Sequence, residues 1–358
     1  MNMSKLPKDF QLYTEDGWLN IEGIAKIPSL WLIVIVGARQ VGKSYGIARH
    51  LMTSKDCRGL YLRRTTDELD LISGDPDLDP FMALKEENIT AGIIKLKKSI
   101  YHYGLCEMDD DGYLHMTDEK GLGLSLATIA KLRGFNGSGF TDVFFDEFIP
   151  ETSVIKRKNE GDSLVQAYIT INGNRELKGK PPLRLWMAAN ALDISSPHLA
   201  AWDLTDKIRE IGQSGQEYAL IENGVLVVVP KSAKIIEQRK STAIMEYLAK
   251  TGASKELYDV SINNTFAYDS LDLVRKKPIS GYRPFAKFGD MYVWYNADTY
   301  YVCSVIHNKR EVFGDNADER LRAAKYLNRM RVAYAKGLVT FESATLLLKF
   351  RDYFGIRI

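Results

Sequence analysis

The stretch WLIVIVGARQVGKSYGIARHLM, Trp31 to Met52, decides the fold. Its first part, Trp31 to Val36, is continuously apolar and reads as a strand buried on both faces. GARQVGKS follows at Gly37 to Ser44, and SYGIARHLM after it has the character of a helix. Strand, glycine loop and helix in that order form the P-loop pattern. Gly37 and Gly42 let the backbone turn so that its N–H groups converge on phosphates. Lys43 is expected to reach the β- and γ-phosphates, and the Ser44 hydroxyl to ligate Mg²⁺ beside bound ATP. Arg39, inside the loop, is either a γ-phosphate contact or a solvated loop charge.

Outward from the loop, short apolar runs alternate with helical or loop segments. GLYLRR (Gly59–Arg64), DVFFDEF (Asp142–Phe148), LRLWMAAN (Leu183–Asn190) and VLVVVP (Val225–Pro230) read as further strands. The expected class is α/β, with a parallel-dominated sheet and helices on its faces. IIKLKKSIYHYG and LCEMDDDGYLHM read as an inserted hairpin that turns at DDDG.

Asp146 and Glu147 end an apolar strand at the edge where open α/β sheets bind ligands. That strand is read as a neighbour of the loop strand. Asp146 is expected to hold Mg²⁺ through water, and Glu147 to polarise the attacking water as general base. Asn190 ends the next strand and is either a contact to the γ-phosphate or lytic water, or a turn residue.

Arg63 and Arg64 end the second strand, where one of them could pair with Glu147 and hold it out of register. A positive charge supplied by a neighbouring subunit is a further catalytic expectation. Its candidates are Arg175, Lys131 and Arg133. The runs Lys95–Lys98 and Lys156–Lys158 are either contacts to nucleic-acid phosphates or solvated faces.

The 358 residues are 45% hydrophobic, enough for a sizeable core and for more than one domain. A net charge of +2 gives no bulk signal for nucleic acid. Cys57, Cys106 and Cys303 are too scattered for a disulfide framework or a zinc spacing, and the five histidines are scattered too. The N-terminus has no apolar signal region, and no apolar run is long enough to span a bilayer, so no membrane partner is expected. Residues 1–231 are read as the first domain and 232–267 as a charged, helical linker. From 268 to 358 follows a second domain of aromatic-rich hairpin strands and two amphipathic helices, at 317–337 and 340–355.

VGARQVGKSY, YLRRTTDEL, VFFDEFI, NGNRE, MAANA, RKSTAIMEYLAKTG and the C-terminal YLNRMRVAYAKGLVTFESATLLLKFRDYFGIRI lie in order along the chain. Together they resemble the phi-29-type phage DNA-packaging ATPases, and GARQVGK is also similar to terminase large subunits. The resemblance implies an additional-strand, conserved-glutamate ATPase domain, a short linker and a smaller α+β, RNase-H-like domain that has lost nuclease activity. It implies ATP-driven movement of double-stranded DNA into an empty capsid by a homopentameric ring on the portal, working in the host cytoplasm and transiently at the portal vertex. Some members also use a structural packaging RNA. The family's roles fall here on Lys43, Ser44, Asp146 and Glu147. Its trans-acting arginine lies in a segment similar to NGNRE, where Arg175 is the nearest match and Gly173 precedes Asn174. A second trans-acting basic residue falls near Arg133. Two rival readings remain. One is a terminase whose nuclease still cuts, for which the C-terminal strands offer Asp290 and Asp298. The other is a nucleotide-gated interaction module that does no mechanical work.

Overall fold

The apolar run before the glycine loop forms a six-residue strand with every residue buried, as a strand covered on both faces must be. The structure is a computed structural model. It describes residues 6–38, 40–73, 75–97, 100–129, 135, 137–149, 160–190, 196–252, 254, 258, 262, 273–308 and 311–356. The chain divides into two compact units, one of residues 1–193 and 208–267, the other of 194–207 and 268–358.

In the first unit, α1 (Ile21–Ala25) precedes the loop strand β1 (Leu32–Gly37), which leads into α2 (Lys43–Thr53). β2 (Gly59–Arg63) and α3 (Thr66–Ser73) follow, then β3 (Ala91–Lys97), β4 (Ile100–Met108) and β5 (Leu114–Ser125). Then come α4 (Leu126–Ile129), β6 (Asp142–Asp146), α5 (Glu160–Asn172), β7 (Arg184–Asn190), β8 (Tyr218–Ile221) and β9 (Val225–Val228), with helices at Ala233–Lys240 and Ala243–Thr251 beyond them. The strands form one sheet in the order β3-β4-β5-β2-β6-β7-β1-β9-β8. β5, β2, β6, β7, β1 and β9 run parallel, and antiparallel strands extend both edges.

The acid strand is therefore not beside the loop strand, as its sequence suggested; β7 lies between them. β6 and β7 are both buried along almost their whole length, so hydropathy alone does not order them. In register, Gly37 stands beside Asn190, and Asp146 beside Ala188. Parallel pairing thus brings the carboxyl ends of β1, β7, β6 and β2 to one edge.

The inserted hairpin is a three-stranded meander that joins the central sheet through β5 and β2. Its tight turn does fall on the acidic run, where the Asp109 carboxylate accepts from the Asp111 and Tyr113 N–H groups. The last part of β5 escaped the sequence reading because glycines interrupt its apolar pattern. They are needed there: a Cβ on Gly121 would lie 2.0 Å from the Gly59 carbonyl oxygen and 2.6 Å from the Tyr103 hydroxyl. Tyr103 is fully buried in this slot. β8, partly exposed and short, was also missed.

The second unit holds a five-stranded sheet in the order β13-β10-β11-β12-β14. Its strands are β10 (Arg283–Phe288), β11 (Met291–Asn296), β12 (Thr299–Cys303), β13 (Val312–Phe313) and β14 (Val339–Phe341). β10, β11 and β12 form an antiparallel meander, while β13 and β14 add parallel edges. The first expected amphipathic helix is two helices, Ala317–Arg322 and Ala324–Ala335, joined at the buried Ala323. The second begins only at Ala344, because Val339–Phe341 pairs with β12 as a strand. Ser343 caps that helix by accepting from the Leu346 N–H, and Gly355, in the left-handed region, ends it. Phe288, Phe341, Phe350 and Phe354 fill the core of this unit.

Candidate active site

Gly42, at φ +85°, is the N-cap of α2, a backbone shape open to glycine and strained for most other residues. Lys43 then sits at the helix start but is only 6% exposed, with its ammonium turned back into the loop. Nζ donates to the Gly37 carbonyl at 3.1 Å, to the Ala38 carbonyl at 2.6 Å and to Asn190 Oδ1 at 3.3 Å. A buried ammonium held by backbone carbonyls is suited to exchange them for an anion at the N-terminus of α2.

Ser44, the next residue, donates its hydroxyl proton to Asp146 Oδ1 at 2.8 Å. The carboxyl end of β6 and the amino end of α2 thus meet at one point, joining the two residues assigned to Mg²⁺. A hydroxyl and a carboxylate in contact are hard oxygen donors that fit a small divalent cation sharing its other positions with water and phosphate.

Asp146 has two further partners that the sequence did not reveal. Tyr61 Oη donates to Oδ2 at 3.0 Å, and Arg63 Nη1 donates to the same oxygen at 3.2 Å. Burial, followed by the Asp146 charge, drives the Tyr61 hydroxyl well above its ordinary value, so it stays a donor. Burial works to lower the Arg63 guanidinium, but Tyr61, Asp146 and Glu68 outweigh it and hold it above its usual range. The alternation of β2 explains both contacts: Tyr61 and Arg63 are two residues apart and face the same side.

Neither arginine pairs with Glu147. Arg63 engages Asp146 and, at 3.5 Å, Glu68. Arg64 points to the opposite face and forms a two-pronged pair with Glu160 at 2.9 and 3.1 Å, both partners buried. Glu147 is held by Asn190, whose Nδ2 donates to its two carboxylate oxygens at 3.1 and 3.3 Å. Asn190 therefore links the loop lysine to the candidate base through one amide group. Glu147 has φ +50°, a left-handed conformation that costs a residue with a Cβ on the order of 1–3 kcal/mol. The turn lifts its carboxylate off the end of β6.

Arg175 was a candidate to reach a neighbouring subunit. It is 5% exposed and turned inward, donating Nε to the Pro181 carbonyl at 3.1 Å and Nη1 to the Phe140 carbonyl. Arg39, Lys98, Lys131, Arg133 and Lys156–Lys158 lie outside the described residues. Lys95 is exposed and paired with Asp70. In the second unit, Asp290 and Asp298 occupy the turns at opposite ends of the six-residue β11. Six residues of strand separate them by about 20 Å.

No protein-family model matches the chain, and no curated protein matches it in sequence. Solved structures do match over nearly its full length. The Phi-28 gp11 DNA packaging motor is 15% identical, covers 91% of this chain and 95% of its own, and superposes with a TM-score of 0.59. The bacteriophage Phi-29 viral genome packaging motor assembly is 16% identical, with 96% and 99% coverage and a TM-score of 0.60. Likeness across both units agrees with the resemblance read from the sequence, and the chain has the fold of the phi-29-type phage DNA-packaging motors.

Proposed function

We propose that this chain is an ATPase that drives double-stranded DNA into an empty phage capsid. It would work as a homopentameric ring at the portal vertex, in the host cytoplasm, with a structural packaging RNA as a further candidate partner. The observation that carries the catalytic part is the single edge that joins Lys43, Ser44, Asp146, Glu147 and Asn190. The strand order, with β7 between the loop strand and the acid strand, is what an additional-strand, conserved-glutamate ATPase requires. The full-length likeness to packaging motors supports the mechanical part.

On this reading, ATP phosphates take over Lys43 from the carbonyls of Gly37 and Ala38, and the backbone N–H groups of the loop donate to them. Ser44 and Asp146 would hold Mg²⁺, which when bound neutralises charge on the β- and γ-phosphates. Glu147 accepts a proton from the attacking water and orients it toward the γ-phosphorus. Asn190, which touches both Lys43 and Glu147, ties the position of that base to what occupies the loop.

The nuclease reading is the weaker one. Two-metal cleavage needs carboxylates that clasp ions about 3.5–4 Å apart, and Asp290 and Asp298 stand at opposite ends of a strand. The interaction-module reading gives Glu147 no task. The test is DNA-stimulated hydrolysis. Glu147→Gln should bind ATP with little loss while turnover falls about a hundredfold or more. Wild-type turnover in that variant, or a wild-type rate indifferent to double-stranded DNA, would sink the proposal.

A further inference from the structure

His50, Cys57 and Asp142 form a second cluster of ligand-type side chains, at the other ends of the elements that build the phosphate site. Asp142 opens β6 where Asp146 closes it, and His50 lies near the end of α2 where Ser44 opens it. Cys57 sits in the connection from α2 to β2. All three are at most 9% exposed, and one ligand atom from each lies within 4.8 Å of the others.

Within the cluster Cys57 donates its thiol proton to Asp142, whereas His50 has no hydrogen bond among the described residues. His50 Nδ1 is buried and makes no hydrogen bond among the described residues. Nε2 stands 3.9 Å from Asp142 Oδ1, beyond hydrogen-bond reach. Neither ring nitrogen is thus hydrogen-bonded among the described residues: Nδ1 faces Glu22, and Nε2 is the nitrogen turned toward Asp142 and the cluster, where an ion could join them. Cys57 Sγ lies 3.4 Å from Asp142 Oδ2. Ligands bound to one tetrahedral zinc at about 2.0–2.3 Å are separated by distances of this size.

Orienting partners are also present. Trp186 Nε1 donates to Asp142 Oδ1 at 2.9 Å and fixes the carboxylate. Glu22 Oε2 lies 3.5 Å from His50 Nδ1. That contact is short of a hydrogen bond; drawn onto Nδ1, the carboxylate would leave Nε2 to ligate, the arrangement by which metal-bound histidines are held. Arg184 Nη1, 3.8 Å from Asp142 Oδ1, is the nearby positive charge that opposes a cation.

We propose that His50 Nε2, Cys57 Sγ and an Asp142 carboxylate oxygen bind one zinc ion, with water in the fourth position and Glu22 orienting His50. The donor set of thiolate, imidazole and carboxylate matches zinc better than Mg²⁺, which prefers oxygen alone. On binding, the Cys57 S–H bond breaks, its proton passes to solvent, and the thiolate pair joins the metal with no change of oxidation state. The ion would pin the end of α2 to the start of β6. This assignment stands apart from the ATPase reading, since none of its residues touches the phosphate site.

The experiment uses the full chain without an affinity tag, reduced, stripped with chelator and free of nucleotide. It is titrated with Co²⁺, then with Zn²⁺ as competitor. One ion per chain is expected, with a thiolate-to-cobalt charge-transfer band that Zn²⁺ abolishes. Co²⁺ held by Ser44 and Asp146 would give no such band. Cys57→Ser and Cys57→Ala should each remove the band while circular dichroism stays that of the wild type. Glu22→Gln should weaken binding by about 10–100-fold. Absence of the band in the wild-type chain, or one that persists in both Cys57 variants, overturns the site.

Discussion

Single side chains set the electrostatics of the phosphate edge. Arg63 places a guanidinium 3.2 Å from the carboxylate assigned to the cation, so the two positive groups compete for Asp146. Arg63→Gln should therefore lower the Mg²⁺ concentration that half-saturates hydrolysis, by on the order of 1 kcal/mol or about fivefold. A Mg²⁺ titration that moves the other way would show that Arg63 supports the bound state. Asp79 offers a test at a distance from the chemistry. Burial raises its carboxyl from 3.8 to about 7, against the N–H groups of Phe81 and Ile93 that donate to it. A group raised in the fold stabilises it most below the unfolded value and loses that contribution as pH rises through the folded value. Relative to Asp79→Asn, the wild-type chain should lose stability between about pH 4 and 7, by up to about 1.4 kcal/mol per pH unit, and level off above that in denaturant titrations. A flat difference would mean that Asp79 is ionised throughout. Lys43 and Ser44 were singled out by the spacing of the glycine loop, and Asp146 and Glu147 by their place at the end of an apolar strand. Tyr61 could not, since no local pattern says which tyrosine of an apolar strand meets an aspartate 85 residues away.

Among elements, the end of β2 and the residue just past it divide their labour. Arg63 goes to the phosphate edge, while Arg64 goes to Glu160 at the first turn of α5. Both members of the second pair are buried, at 2% and 3% exposed. Glu160→Gln leaves the buried guanidinium with only Glu68, 3.9 Å away, as a charged partner, and should cost up to roughly 3–5 kcal/mol in chemical denaturation. A cost near zero would show that α5 shifts to let water in. The apolar runs announced most of the parallel strands, since a strand covered on both faces must be apolar along its length. Their spatial order, the second half of β5 and the break at Ala323 were not legible. Each depends on what a residue meets across the sheet or core, as Gly121 meets Tyr103.

For the molecule as a whole, the open matter is how one copy would help another. Arg175 donates to the carbonyls of Phe140 and Pro181 within its own subunit. Its replacement by Ala should act on stability, by about 1–3 kcal/mol for the carbonyls left unpaired. Folded Arg175→Ala subunits should then hydrolyse ATP alone, and mixing them with Glu147→Gln subunits should add no single-turnover hydrolysis beyond their own in assembled rings. Recovered activity would show that the side chain swings out to serve a neighbour's site, as the family's arginine does.

The strand inserted between β1 and β6 has a metrical consequence. Two strand spacings put the loop and the end of β6 about 9.6 Å apart across the sheet. One amide spans it: Asn190, at the end of the inserted strand, reaches Lys43 on one side and Glu147 on the other. On the proposed reading a terminal phosphate would have to break into that bridge, while a nucleotide one phosphate shorter would leave it closed. The inserted strand then works as a latch, telling fresh fuel from spent fuel by whether the amide is open.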